Sequence, residues 1–293
     1  MSAEIPHVEG VKHRFVDANG IRVHVAEAGP DRPDGPPILL LHGWPQHWYM
    51  WRRVIAGLRS DRRLLAPDLR GFGWSEAPGR GYDGETFAAD QVALLDALGI
   101  DRAFVVGHDW GGWTAMLLGI LHPERVERII ACNAPHPWAR VTPSLAREAW
   151  RSWYTWVIAT PGLGRRSLER GWIARAILTG GNVGTPFSAS EIEQYVSSFR
   201  EPARAEAITQ LYRYYQRVFR EAISGRWRDA RLTVPTLLLF GERDRYVSPK
   251  LLPGFEPYAD DMRVELVPDS GHFVVDEKPE LVVERARGFL VPA

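Results

Sequence analysis

The stretch Ala103-Phe104-Val105-Val106-Gly107-His108-Asp109-Trp110-Gly111-Gly112 decides the fold. A short apolar strand runs into a G-x-D-x-G turn, and the spacing beyond it predicts a helix from near Trp113. That is the layout of a nucleophile elbow, a sharp strand-to-helix turn that pushes its central side chain out above a sheet. Gly107 and Gly111 suit it because side chains there would collide with the tight turn and the neighbouring strand. Asp109 stands where a serine hydrolase keeps its serine. A carboxylate is a poor nucleophile toward amides, but it attacks a strained or halogenated sp³ carbon and leaves an alkyl ester.

Outward from the elbow, strands and helices alternate. Residues 14–17 and 21–26 flank Ala18-Asn19-Gly20 and read as a β-hairpin. Residues 37–42 form a continuous apolar run, as expected for a strand buried on both faces. Further strands are predicted over 63–68, 126–132, 235–240 and 264–267, with helices over 87–98 and 281–290. The fold class is α/β, with a mostly parallel central sheet covered on both faces. The alternation fails between 138 and 230, where helical segments carry Trp150, Trp153, Tyr154, Trp156, Trp172, Tyr195, Tyr212, Tyr214 and Tyr215. This stretch is expected to be a helical cap inserted into a core made of residues 1–137 and 231–293.

The chain has 293 residues and a formal net charge of +0, with no basic stripe, so nucleic acid is not the expected partner. Cys132 is the single cysteine, which rules out an internal disulfide and reads as a small buried residue. No apolar run approaches the ~20 residues needed to span a bilayer, and no secretory signal is evident at the N-terminus. A soluble cytoplasmic protein follows as the expectation, and a homodimer is compatible with it.

An ester on Asp109 must be hydrolysed, which needs a base, an acid to orient that base, and donors for the oxyanion. His272, in Asp269-Ser270-Gly271-His272 after the final strand, is the candidate base. Asp244, directly after the strand of 235–240, is the candidate acid, with Glu242 as its competitor. Asn133 occupies the place of an acid after an earlier strand, and it cannot stabilise an imidazolium by charge. The backbone N–H groups of Trp110 and Trp44 are the expected oxyanion donors, since Pro45 has none to offer. His42, His108 and His136 read as structural. The remaining histidines lack metal-ligand spacing, so no metal is expected, and the chemistry calls for no cofactor.

With these residues placed, the chain resembles the α/β-hydrolase superfamily and, within it, the epoxide hydrolases. The resemblance rests on His42-Gly43-Trp44-Pro45, Gly107-His108-Asp109-Trp110-Gly111-Gly112, Asn133-Ala134-Pro135-His136-Pro137, Asp244 and Ser270-Gly271-His272. It implies an α/β-hydrolase fold and a small-molecule epoxide as substrate. It further implies two cap tyrosines that stabilise the opening epoxide oxygen. Ser152-Trp153-Tyr154 is similar to the first tyrosine segment and Leu211-Tyr212-Arg213 to the second. Trp44, Trp110, Trp153 and Tyr215 are expected to line the substrate pocket. Tyr212, Tyr214 and Tyr215 cannot all face one pocket at ~100° per residue. Haloalkane dehalogenases also pair an aspartate nucleophile with a following tryptophan. They remain the alternative, although the asparagine that many of them carry after His-Gly is replaced here by Trp44.

Overall fold

A computed structural model describes residues 4–30, 35–139, 142–184 and 186–290. Eight strands form one sheet: β1 (Val11–Ala18), β2 (Ile21–Ala28), β3 (Ile38–Leu41), β4 (Leu64–Pro67), β5 (Ala103–His108), β6 (Val126–Cys132), β7 (Thr236–Gly241) and β8 (Met262–Val267). Their order across the sheet is β1-β2-β4-β3-β5-β6-β7-β8. From β4 onward all neighbours are parallel, while β1–β2 and β2–β4 are antiparallel. The hairpin forms at Asn19-Gly20, both with positive φ (47° and 73°), as a two-residue primed turn demands. Every residue of β3, β4, β5 and β7 is buried, which is why these strands read as unbroken apolar runs rather than alternating ones.

Helices α1 (Arg52–Leu58), α2 (Gly84–Ala97) and α3 (Trp110–Leu121) connect the first strands. Helix α2 starts three residues ahead of its first apolar anchor, Phe87, because the Asp83 side chain caps it by accepting the Thr86 N–H at 2.8 Å. Helix α3 starts at Trp110 rather than near Trp113: the elbow consumes a single residue, Asp109. Among the described residues, the chain between β6 and β7 contains helices and no strand. These are α4 (Pro143–Ala146), α5 (Trp153–Ala159), α6 (Leu163–Glu169), α7 (Trp172–Gly180), α8 (Ala189–Ser198) and α9 (Pro202–Ser224). Helix α9 packs along α5 and α6. After β8 come α10 (Val274–Glu277) and α11 (Pro279–Arg285), and the last turn widens to a π-type helix at Ala286–Leu290. Among the described residues no helix is long and apolar enough to cross a membrane.

The loops that matter for chemistry follow β3, β5, β7 and β8, all at the C-terminal ends of parallel strands. Side chains leaving those ends converge above the sheet, as in open parallel sheets generally.

Candidate active site

Asp109 occupies the turn between β5 and α3 with φ 51° and ψ −117°, a conformation that L-residues rarely adopt. The surrounding backbone holds it there: the Asp109 N–H donates to the Cys132 carbonyl at 3.0 Å, and its own carbonyl accepts the Trp113 N–H at 2.9 Å. There is no room for a side chain at Gly111, whose Cβ would stand 2.0 Å from the Leu41 carbonyl oxygen. Nor is there room at Gly43, whose Cβ would meet the Asp109 Cβ at 2.5 Å. The close approach at Gly43 brings the loop after β3 against the carboxylate. The backbone N–H groups of Trp110 and Trp44 both donate to that carboxylate. Burial pushes its pKa up to about 7, against the opposing pull of the His272 imidazole and those two N–H groups.

His272 Nδ1 lies 2.9 Å from Asp244 Oδ2. That contact leaves Nε2 as the ring atom available for a proton. Burial acts to lower the His272 pKa, but the Asp244 carboxylate outweighs it and the Asp109 charge adds to the rise, so the net shift is upward. Asp244 is buried, which would raise its pKa, yet His272 and its hydrogen bonds bring it below the usual carboxylate range. Asp244 Oδ1 accepts the Tyr246 and Val247 N–H groups at 2.8 and 3.0 Å. Glu242 is exposed, outside this group.

The sequence underrated two residues. Asn133, dismissed as an acid, donates from Nδ2 to Asp244 Oδ2 at 2.8 Å and to the Gly271 carbonyl at 3.2 Å. It ties the acid loop to the histidine loop. Its place directly after the apolar run of β6 was the available signal; in the structure its backbone takes φ 47°. Glu277 Oε2 accepts the Gly271 N–H at 2.6 Å and the Ser270 hydroxyl at 3.0 Å, pinning the turn that carries His272.

The three histidines read as structural each engage a backbone group. His42 Nε2 accepts the Leu69 N–H at 2.9 Å. His108 Nε2 donates to the His272 carbonyl at 2.8 Å, and His136 Nε2 donates to that of Leu252 at 2.8 Å. Cys132 is fully buried. Among the described residues no cluster of three or more His, Cys, Asp or Glu side chains is arranged to hold a metal.

Above Asp109 lies a cavity of about 350 Å³ walled chiefly by aromatic and apolar groups. Tyr154, Tyr212, Tyr215 and Trp110 belong to its wall together with Asp109. Tyr154 and Tyr212 meet edge to face with centroids 5.8 Å apart, and the Trp110 side chain donates to the Tyr212 hydroxyl. Burial raises both tyrosines well above their ordinary range, so they stay protonated. Tyr215 sits one helical turn beyond Tyr212 and hydrogen-bonds Ser152. Tyr214 turns away and donates to Glu85 at 3.2 Å. Tyr246, which the sequence did not single out, joins the wall and donates to the Ile177 carbonyl at 2.9 Å.

Two expected pocket residues do not line it. Trp153 starts α5 one residue ahead of Tyr154, and the ~100° step turns it outward. It is 43% exposed and absent from the wall. The Trp44 indole is fully buried behind the wall, stacked on Tyr154 at 6.0 Å and 8° and edge-on to Tyr212 at 5.3 Å. Only its backbone N–H reaches the reacting centre.

The family model for the alpha/beta hydrolase fold matches residues 36–279. The chain is 34% identical over 284 residues to epoxide hydrolase 3 of Xenopus tropicalis, covering 93% of this chain and 75% of that one. The chain belongs to the α/β-hydrolase fold family, among the epoxide hydrolases. It is also 31% identical over 306 residues to the soluble epoxide hydrolase of Corynebacterium sp. strain C12, covering 100% of this chain and 99% of that one. The solved structure of the epoxide hydrolase CorEH without ligand superposes with a TM-score of 0.82 at 30% identity, covering 96% of this chain and 99% of that one. The α/β-hydrolase architecture expected from the elbow is therefore the one observed.

Proposed function

We propose that this α/β-hydrolase converts an apolar or aromatic epoxide and water into a vicinal diol. Asp109 attacks one ring carbon, the C–O bond opens, and Tyr154 and Tyr212 donate hydrogen bonds to the oxygen that leaves as alkoxide. One tyrosine passes it a proton, and a hydroxyalkyl ester of Asp109 remains. His272, oriented by Asp244, then takes a proton from water, which attacks the Asp109 carboxyl carbon. The Trp44 and Trp110 N–H groups carry the oxyanion; as it collapses, the ester C–O bond breaks, His272 returns its proton to the leaving diol oxygen, the new Asp109 acid gives its proton to the tyrosinate, and the diol departs. No cofactor takes part. Helices between 138 and 230 act as the cap that supplies both tyrosines, over a core of 1–137 and 231–293.

One observation carries this reading: two buried, protonated tyrosines share a cavity wall with a buried carboxylate. A leaving alkoxide needs hydrogen-bond donors, and both phenols remain donors far above neutral pH. A leaving halide would use the Trp110 indole N–H, but that donor already serves Tyr212, which speaks against the dehalogenase alternative. The charges also fit the order of steps. Asp109 helps hold the proton on His272, and esterification removes that negative charge when His272 must become a base.

His272→Gln tests the scheme. The variant is expected to be alkylated by styrene oxide and then to stall, so intact mass spectrometry shows a gain equal to one epoxide. An unmodified variant after prolonged exposure, with the wild type active, contradicts it.

A further inference from the structure

The cavity over Asp109 is not apolar throughout. Arg151, Glu148, Ser248 and Gln216 form a polar part of its wall. Building on the epoxide hydrolysis proposed above, we infer that Arg151 is an anion subsite that favours epoxides carrying a carboxylate.

Arg151 lies on the turn Ala149–Ser152, which leads directly into α5. Its Nη1 donates to the Asp244 carbonyl at 3.3 Å and stands 3.5 Å from Glu148 Oε2. Its Nε and Nη2 donate to none of the described residues. A guanidinium presents five N–H donors in a planar fork that matches a carboxylate, so most of this one is unused. The side chain is 25% exposed, so its remaining donors are open to solvent or to a ligand in the cavity.

Glu148 is the obvious competitor for that charge, but other partners hold it. Lys250 Nζ donates to one of its oxygens and Ser248 Oγ to the other, the latter at 2.6 Å. These hydrogen bonds, that from Lys250 first, keep Glu148 ionised. Glu148 thus sits between two cations, Lys250 and Arg151, and the three side chains together keep a net positive charge at this part of the wall. His136, also in that wall, is held neutral by burial. Without a cation here, an anionic epoxide would meet the repulsion of Asp109 and Glu148.

The test compares an epoxyalkanoate, its carboxylate one methylene from the ring, with the matching carboxamide. The readout is the ratio of their kcat/KM values within each enzyme, so a general loss of activity does not affect it. The wild type is expected to favour the acid about tenfold. Arg151→Gln should bring the ratio to one or below, and Arg151→Lys should retain part of it. A wild-type ratio at or below one, or an unchanged ratio in Arg151→Gln, overturns the subsite. Styrene oxide is the reference: if wild type forms diol from it while showing no acid preference, only the subsite falls. If no epoxide yields diol, the epoxide reading itself falls and the subsite with it.

Discussion

The two halves of the site are built under different constraints. The sheet half is locked. Asp109 sits at positive φ, and neither Gly111 nor Gly43 can take a methyl group without striking backbone or Asp109 itself. Asn133 and Glu277 bind the histidine and acid loops to one another and to their turns. The other half, the helices between β6 and β7 proposed as the cap, packs through aromatic faces. Tyr154 is held by Trp44 and Tyr246, and several neighbours, Trp150, Trp153, Trp156 and Trp172, stand in solvent. The contrast teaches a division of labour. On the scheme proposed above, the loops at the strand ends set which atom attacks and how the ester is cleaved, while the helices set what leaves and what fits.

That division can be broken by mutation. Asp109→Ala should have the largest effect, a loss of diol formation of about 10⁴-fold or more, because no other carboxylate can make the bond. Retained turnover would mean the sheet half does not supply the nucleophile. Tyr154→Phe and Tyr212→Phe should each slow single-turnover alkylation by about 10²-fold while leaving ester breakdown nearly unchanged. If both steps slow equally, the cap contributes more than the leaving-group donors.

Acidity probes the sheet half without mutation. Asp109 must be ionised to attack, and burial places its pKa at about 7. Alkylation should therefore fall about tenfold per pH unit below that value and level off above it. Ester breakdown needs neutral His272 and should rise with pH in the same sense. Stopped-flow tryptophan fluorescence can follow both phases, since Trp110 adjoins the nucleophile. A flat alkylation profile between pH 5 and pH 8 would remove the buried carboxylate from the rate-determining chemistry.

Asn133→Ala should have the smallest effect, about tenfold on ester breakdown and little on alkylation, because it removes one hydrogen bond to a charged acid and none to Asp109. A larger loss in alkylation would show that the loops are coupled through more than this contact.

Legibility in the sequence followed the same divide. The elbow, the buried strands and the histidine loop could be read because each places a special residue at a fixed offset from an apolar run. The acid loop was legible for the same reason, and Asp244 meets His272 where chain order suggested. The cap was harder. One residue turns a helix by ~100°, so adjacent aromatics share composition but not direction. Tyr154 therefore lines the cavity while Trp153 faces water, and Tyr212 with Tyr215 face in while Tyr214 reaches Glu85. Periodicity showed that the three tyrosines could not all face one pocket without fixing which do, and nothing local separated Trp153 from Tyr154. Asn133 was missed because its role depends on two loops more than a hundred residues away.

The most direct trial is a single turnover in heavy-oxygen water with enzyme in excess over epoxide. The new hydroxyl of the diol should carry light oxygen taken from Asp109, and the label should appear in the protein carboxyl group. Heavy oxygen in the diol of that first turnover would mean that water opens the ring directly, and the covalent account would be wrong.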